Sequence, residues 1–410
     1  MPETPPPGAE PLDPVPAPRV LLAGGGTAGH VNPLLATAAA LRDPALGGRE
    51  EAGILVLGTA EGLEAGLVPE AGFDMAVVPR VPMPRRPTGD LFMLPRRLSR
   101  AVGAAGEAIE AVDAQVVVGF GGYVSTPAYL AARRAGVPVV IHEQNARPGL
   151  ANRLGASWAA AVALTFASTP LRSSKGRTEV TGLPLRPAIG ELVARLAEPD
   201  GAAAARRSGA AALGLDPRAP TVLITGGSLG AQRLNEVLAA ALPSLSPDLQ
   251  VLHLTGRDKD GPVRAAVEAA VAAGADPGLA ERYHVLDYLV AMEQAYACAD
   301  GVICRSGAGT VAELTALGLP ALYVPLPIGN GEQRLNAADV VAAGGGRLVA
   351  DARLTAADVV DFTALLTRPA ERGAMAAAAA STGVRDGARR LADLIRTVAR
   401  EGSPSPRRKA

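Results

Sequence analysis

Short runs of consecutive apolar residues alternate along the chain with longer Ala/Leu/Arg-rich segments of helical length. The runs are RVLLAG, ILVLGT, MAVVPR, AQVVVGFGG, VPVVIHE and AAVALTF in the first half, then TVLITGG, VLHLTG, YHVLDY, GVICRSG and ALYVPL in the second. An unbroken Val/Ile/Leu run without polar alternation marks a strand covered on both faces, and strands separated by helix-length segments call for crossover connections. The pattern predicts an α/β chain with parallel sheets. The rhythm breaks over residues 181–220, after which a glycine-rich strand-to-helix turn recurs at LITGGSLGA. Two Rossmann-like domains joined near residues 183–190 are therefore expected, with a deep interdomain cleft where the carboxyl ends of both sheets face each other. The expected boundaries are 19–184 and 185–385, and a last helical segment at about 386–400 is open to either half. Residues 1–18 carry eight prolines and, like 401–410, are expected to be disordered by composition.

At 410 residues the chain is long enough for two or three domains. Its 40 basic and 40 acidic residues cancel, so total charge offers no attraction for nucleic acid. The N-terminus lacks the basic start and apolar run of a signal peptide, and no apolar stretch is long enough to span a bilayer, so membrane contact is expected to be peripheral. The spacing of Cys298 and Cys304 suits neither a zinc pair nor a disulfide framework; a reducing compartment and two small buried side chains are expected.

Four glycine-rich loops follow strands: GGGTAGH (24–30), GFGGYVSTP (119–127), TGGSLGA (225–231) and CRSGAGT (304–310). Glycine lets the backbone approach a ligand, and the helix that follows presents unpaired N–H groups to phosphate oxygens. Four such loops over two halves point to a pair of large anionic ligands. Gly24, Gly26 and Gly29 satisfy G-x-G-x-x-G, but a dinucleotide fold also needs an acid at the end of the second strand, and ILVLGT ends in Gly58 and Thr59. The P-loop pattern fails because no lysine follows any of the loops. Glu313, four residues after Gly309, falls where a carboxylate can hold ribose hydroxyls beside a diphosphate; an acid merely favouring a helix N-terminus is the other reading.

The ordered set GGGTAGHVNP, GFGGYVSTP, HEQNARPGLANR, TGLPLRP, TGGSLGAQRLN, CRSGAGTVAELTALGLPALYVPLP and GNGEQRLNA resembles the MurG family of bacterial glycosyltransferases over about residues 19–395. The resemblance implies a GT-B fold, with an N-terminal domain for a lipid-linked acceptor, a C-terminal domain for UDP-GlcNAc, and a terminal helix crossing back to the first domain. It implies an inverting transfer of N-acetylglucosamine from UDP-GlcNAc to the 4-hydroxyl of the muramoyl sugar of lipid I, giving lipid II, with no cofactor. Donor contacts implied are Thr27, Gly29, Asn145, Arg186, Ser228, Asn235, Leu289, Met292, Ala308, Thr310, Glu313 and Gln333; acceptor contacts are Gly26, His30, Gly121, Gly122 and Tyr123. Within these, Ser228, Arg186 and Thr310 would meet the diphosphate, Glu313 the ribose, Leu289 and Met292 the base, and Gln333 the sugar. Glu332 stands where many relatives have a second glutamine.

An inverting transfer needs a base for the acceptor hydroxyl and charge stabilisation for departing UDP. His30 is the expected base or acceptor-orienting group, with Glu143 of the HEQN stretch its rival; a histidine that only closes its loop is the alternative. His253 and His284 lie outside the motifs and read as structural. The Asp258-Lys259-Asp260 stretch matches a metal-binding Asp-x-Asp, but no other carboxylates group with it, so no catalytic metal is expected. Residues 79–100 mix Val81, Met83, Leu91, Phe92, Met93 and Leu94 with six arginines and one acid, a composition suited to an anionic inner leaflet and hence to the cytoplasmic face of the membrane; an apolar face packed on the first domain is the alternative. A UDP-GlcNAc 2-epimerase, a non-catalytic UDP-sugar binding protein and an oxidoreductase remain as rival functions.

Overall fold

The computed structural model describes residues 17–81, 94–227, 232–328 and 330–402. Thirteen parallel strands form two sheets among these residues. The first sheet is built from β1 (Arg19–Ala23), β2 (Gly53–Gly58), β3 (Asp74–Val77), β4 (Val116–Gly119), β5 (Val139–Glu143), β6 (Ala161–Leu164) and β7 (Arg177–Val180), in the spatial order β3-β2-β1-β4-β5-β6-β7. The second contains β8 (Thr221–Thr225), β9 (Gln250–Leu254), β10 (Tyr283–Leu286), β11 (Gly301–Cys304), β12 (Ala321–Tyr323) and β13 (Gly346–Leu348), ordered β10-β9-β8-β11-β12-β13. The central strands β1, β4, β5, β8 and β11 are buried almost throughout, as their continuous apolar runs require. Every apolar run named above forms a strand. Two strands carry no such run: β7 (RTEV) is polar at three of its four positions and lies at a sheet edge, and β13 (GRL) has three residues.

Chain order reverses between β1 and β4 in one sheet and between β8 and β11 in the other. In a doubly wound sheet a crevice opens at that reversal, outside the carboxyl ends of the strands. The loops after these four strands are the four glycine loops, which explains why glycine recurs after these strands in particular.

The chain passes between the two halves twice, at residues 181–187 and 383–387. The passages touch. A Cβ on Gly182 would fall 2.4 Å from Val384, and one on Gly387 would fall 2.5 Å from the Leu183 carbonyl, so both positions require a bare backbone. Gly182 also has φ +76°, which only glycine adopts freely. The second passage delivers the terminal helix Gly387–Gly402 to the first domain, where Leu391, Ile395 and Val398 join the core formed by β1, β4 and the helix Ala28–Arg42. Leu391 and Ile395 are fully buried. Leu391→Ala is expected to cost about 2–4 kcal/mol, read as a lowered midpoint in denaturant unfolding with unchanged slope.

Candidate active site

The crevice of the first half is built on the loop Gly24–Thr27, which opens the helix Ala28–Arg42. Thr27 occupies the cap position but does not cap the helix; its hydroxyl lies 3.1 Å from His30 Nδ1. The same Nδ1 is 3.2 Å from the Gly25 carbonyl oxygen. A carbonyl only accepts, so Nδ1 carries the proton and Nε2 presents a lone pair. A Cβ on Gly121 would lie 3.3 Å from Nε2, and Gly121 and Gly122 have φ of +91° and +80°. The bare backbone at Gly121 thus leaves the basic nitrogen uncovered, while a Cβ on Gly122 would fall 2.7 Å from the Gly25 carbonyl oxygen that fixes the tautomer. Burial lowers the imidazole pKa below its ordinary value against the raising effects of the Gly25 hydrogen bond and the Glu64 charge, so His30 is neutral at physiological pH.

Beneath the loop lies a carboxylate that no motif announces. Glu64 is fully buried, and its oxygens accept from Gly26 N–H (2.8 Å), Thr59 N–H (3.0 Å) and the Thr59 hydroxyl (2.7 Å). Burial raises its pKa, but these donors outweigh that and hold it below the ordinary carboxylate value. Gly25 has no room for a side chain, since a Cβ there would fall 2.4 Å from Glu64 Oε1. The acid expected at the end of β2 in a dinucleotide fold arrives five residues after Thr59, and it holds the loop rather than a ribose. Because Gly26 N–H is committed to Glu64, an anion at this loop is left with the N–H groups of the first helical turn. Ser125, also fully buried, accepts from Gly121 N–H (2.9 Å) and lies 3.1 Å from the Ala23 carbonyl oxygen, binding the second glycine loop to β1. Tyr123 is 39% exposed, with the Arg80 guanidinium 5.4 Å from its ring centre. Arg80, Tyr123, Glu61 and the Gly25–Gly26 backbone line a pocket of about 230 Å³.

Glu143 does not reach the cleft. It is 1% exposed, and its oxygens accept from Asn145 N–H (3.0 Å), Gly149 N–H (3.0 Å) and Asn152 Nδ2 (2.9 Å). Burial raises its pKa despite these bonds. With its acceptors engaged inside the fold, it shapes the turn after β5 and has no line to an acceptor hydroxyl, which corrects its candidacy as the base.

At the crevice of the second half, Arg186 and Glu313 meet in a two-pronged ion pair, Nε to Oε1 at 2.7 Å and a terminal nitrogen to Oε2 at 3.0 Å. The Tyr296 hydroxyl donates to Glu313 Oε2 (3.1 Å). Three of roughly four carboxylate lone-pair sites are therefore occupied, leaving capacity for one ribose hydroxyl where two were expected. The helix Ala308–Leu317 starts from Gly307 without a side-chain cap, so the N–H groups of Ala308, Gly309 and Thr310 are available to an anion. Leu289, Met292 and Ala308 are half-buried against one apolar cluster that includes Tyr296 and Val311. Gln333 Oε1 accepts from Leu326 N–H (2.9 Å), and Glu332 accepts from Asn330 N–H (3.1 Å).

Asn235 is placed differently from expectation, and two other expected features fall wholly or largely outside the described residues. Ser228, in the third glycine loop, lies outside the described residues. Asn235 points into the fold, its Oδ1 3.0 Å from His253 Nε2 and its Nδ2 donating to the Thr255 carbonyl (3.2 Å), so its amide is spent on packing helix against strand. Of the basic-apolar stretch 79–100, residues 82–93 lie outside the described residues, and Val81 is buried. Asp260 pairs with Arg264 at 3.0 Å, as a solvated helix start does. Among the described residues no helix is long and apolar enough to cross a membrane.

Two buried histidines give the fold an acid limit. His142 Nε2 meets the Gly182 carbonyl oxygen (3.0 Å) and His253 Nδ1 meets the Tyr283 hydroxyl (2.8 Å). Burial lowers their pKa values to about 4 and about 3. The unfolded chain takes up these protons near the ordinary value of about 6.5, so stability is full above that pH and falls as pH drops from there toward 4, by about 1.4 kcal/mol per unit for each site. Thermal unfolding across pH 4–7 checks this: the midpoint is expected to drop steadily below pH 6.5.

Comparison with known proteins agrees with the two-domain fold. The N-terminal domain of glycosyltransferase family 28 matches residues 20–164 and its C-terminal domain matches residues 221–391. A protein of Bifidobacterium longum named UDP-N-acetylglucosamine--N-acetylmuramyl-(pentapeptide) pyrophosphoryl-undecaprenol N-acetylglucosamine transferase is 51% identical over 82% of this chain and 86% of its own. One of Clavibacter michiganensis with the same name is 50% identical over 95% of this chain and 99% of its own. The crystal structure of MurG from Acinetobacter baumannii covers 93% of this chain and 99% of its own with a TM-score of 0.70 at 28% identity. A UDP-GlcNAc 2-epimerase of Neisseria meningitidis covers 91% of this chain and 98% of its own with a TM-score of 0.63, but at 15% identity it shares the fold alone. Matched in both halves, and half-identical to relatives over nearly its whole length, the chain belongs to glycosyltransferase family 28.

Proposed function

We propose that the protein transfers N-acetylglucosamine from UDP-GlcNAc to the 4-hydroxyl of the muramoyl sugar of lipid I, the undecaprenyl-diphosphate-linked muramoyl pentapeptide, forming lipid II with inversion at the anomeric carbon. Relatives at half identity carry the name of this activity. The observation that carries the reading is the uncovered lone pair of His30 Nε2 at the acceptor-side reversal point.

In this reading Nε2 takes the proton of the acceptor hydroxyl while that oxygen bonds to C1 of the donor sugar. The bond from C1 to the UDP oxygen breaks on the opposite face, and UDP leaves as an anion. The N–H groups of Ala308, Gly309 and Thr310 face that developing charge, and Arg186 adds a cation whose pKa is raised, Glu313 outweighing the lowering effect of burial. Glu313 takes a ribose hydroxyl at its remaining site, Leu289 and Met292 flank the base, and Gln333 contacts the sugar. Thr27, Gly29 and the acceptor diphosphate share the first glycine loop.

Membrane contact follows from the substrate. Arg80, Arg96, Arg97 and Arg100 flank residues 82–93 and are exposed, so the stretch docks the first domain on an anionic leaflet that holds lipid I. Co-sedimentation is expected with phosphatidylglycerol vesicles and not with neutral phosphatidylcholine, and to weaken as salt rises.

The test of the activity is UDP release from UDP-GlcNAc with and without a short-chain lipid I analogue, with the sugar label followed into lipid. Analogue-dependent transfer supports the reading. UDP-GlcNAc binding without transfer, or conversion to the manno epimer, would replace it with a sugar-binding protein or an epimerase.

A further inference from the structure

Several side chains join the two halves, and the most buried of the polar ones is Asn336. Asn336 ends the short helix Glu332–Asn336 and is 1% exposed. Its Oδ1 accepts from Ala146 N–H (2.9 Å), and its Nδ2 donates to Asn145 Oδ1 (3.2 Å) and to the Ser306 carbonyl (3.3 Å). Both atoms of one amide are thus used, two bonds going to the loop after β5 and one to the loop after β11. Asn145 is held from its other side, its N–H donating to Glu143 Oε1 (3.0 Å). A continuous polar chain runs from buried Glu143 through Asn145 and Asn336 to the loop that opens the helix Ala308–Leu317. Around it, Arg147 donates to the Asn330 carbonyl and the Ser168 hydroxyl to Asp339 Oδ2 (3.0 Å). Ala146 and Phe166 of the first half are buried in the apolar cluster of the second, beside Ala337 and Val340.

We infer that Asn336 is a positioning residue that sets the width of the cleft: it ties the acceptor-side turn 143–149 to the donor-side turn 305–307 and holds the helix bearing Gln333 between them. A buried amide with its donors and acceptor satisfied across an interface admits one geometry, since any opening orphans polar groups in a dry site. Gln333 lies one turn before Asn336 on the same helix, so the residue facing the donor sugar moves with the clasp. A misplacement of about 1 Å between reacting atoms is enough to cost about 100-fold in rate.

The kinetic half of the test rests on the transfer reading; the distance half does not. Asn336→Ala is expected to lower kcat for transfer at least about tenfold while the dissociation constant for UDP, read by calorimetry, changes by less than about twofold. Asn336→Asp keeps the volume and the bond from Ala146 but sets a carboxylate against two oxygen acceptors, so the same loss is expected from a variant that fills the site. For the second readout, spin labels are placed on Glu110→Cys and Glu268→Cys, exposed positions on helices of the first and second halves. The distance distribution between them is expected to broaden or shift in both Asn336 variants. An unchanged distribution would overturn the inference, as would a UDP affinity that falls in step with kcat, which would make Asn336 a donor-site residue. A wild-type protein without transfer activity would sink the transfer reading and leave the distance result to decide the clasp.

Discussion

Replacing His30 by alanine is expected to lower kcat for sugar transfer by roughly 100- to 10,000-fold, the range that a positioned general base contributes, with the KM for UDP-GlcNAc moving less than about threefold. The expectation comes from the tautomer. The Gly25 carbonyl fixes the proton on Nδ1, which leaves Nε2 able to accept one, and the bare backbone at Gly121 leaves it accessible. His30→Gln keeps a hydrogen-bonding side chain without a basic nitrogen and is expected to fall as far as alanine; a glutamine variant with near-normal kcat would reduce His30 to an orienting role. Because burial lowers the imidazole pKa, the acid limb of kcat/KM is expected to lie below pH 6.5, and activity to hold where an exposed histidine would already be half protonated.

The second large effect is expected at Glu64. Glu64→Ala leaves Gly26 N–H, Thr59 N–H and the Thr59 hydroxyl without their acceptor in a buried site. Orphaned donors cost about 1–3 kcal/mol each, partly relieved by entering water, so a loss of roughly 3–5 kcal/mol is expected in denaturant unfolding. Glu64→Gln retains one acceptor oxygen but turns an NH₂ group toward a donor, so it is expected to recover only part of that loss. Both variants release the loop that carries Thr27 and His30, so the KM for the acceptor is expected to rise while UDP affinity stays at the wild-type value. A Glu64→Ala protein of unaltered stability would show that water replaces the carboxylate without penalty.

The sequence made the scaffold legible because buried parallel strands leave an unmistakable trace: VLLA, VVVG and VLI have no polar position to expose. Strands β7 and β13 escaped because an edge position with one covered neighbour tolerates Arg, Thr and Glu, and a three-residue strand has no period to read. The glycine loops were visible for a related reason, since a left-handed backbone or a Cβ-free approach leaves one residue type standing. Side chains whose work lies across the fold were not visible. Glu64 is 38 residues from Gly26, Asn336 is 190 from Ala146, and Arg186 is 127 from Glu313, and nothing in local spacing reports such pairs. Asn235 misled in the opposite direction: it sits beside a ligand loop in sequence, but its amide completes a bond network with His253 and Thr255. Glu143 ends a strand at the level of the cleft, where only three-dimensional contacts distinguish a reacting carboxylate from one that shapes its own turn.

The return of the helix Gly387–Gly402 to the first domain also orders events during synthesis. The first domain is translated through β7 at Val180, yet the wall formed by Leu391, Ile395 and Val398 emerges only after the whole second domain. At ribosomal speeds of about 5–20 residues per second, that interval is roughly 10–40 s, far longer than helices and hairpins need to form. During it the core around β1 and β4 has one open side, and what closes it is a contact of very high sequence separation. The domain that is made first is therefore finished last, and the nascent chain spends that time with an apolar surface for chaperones to shield.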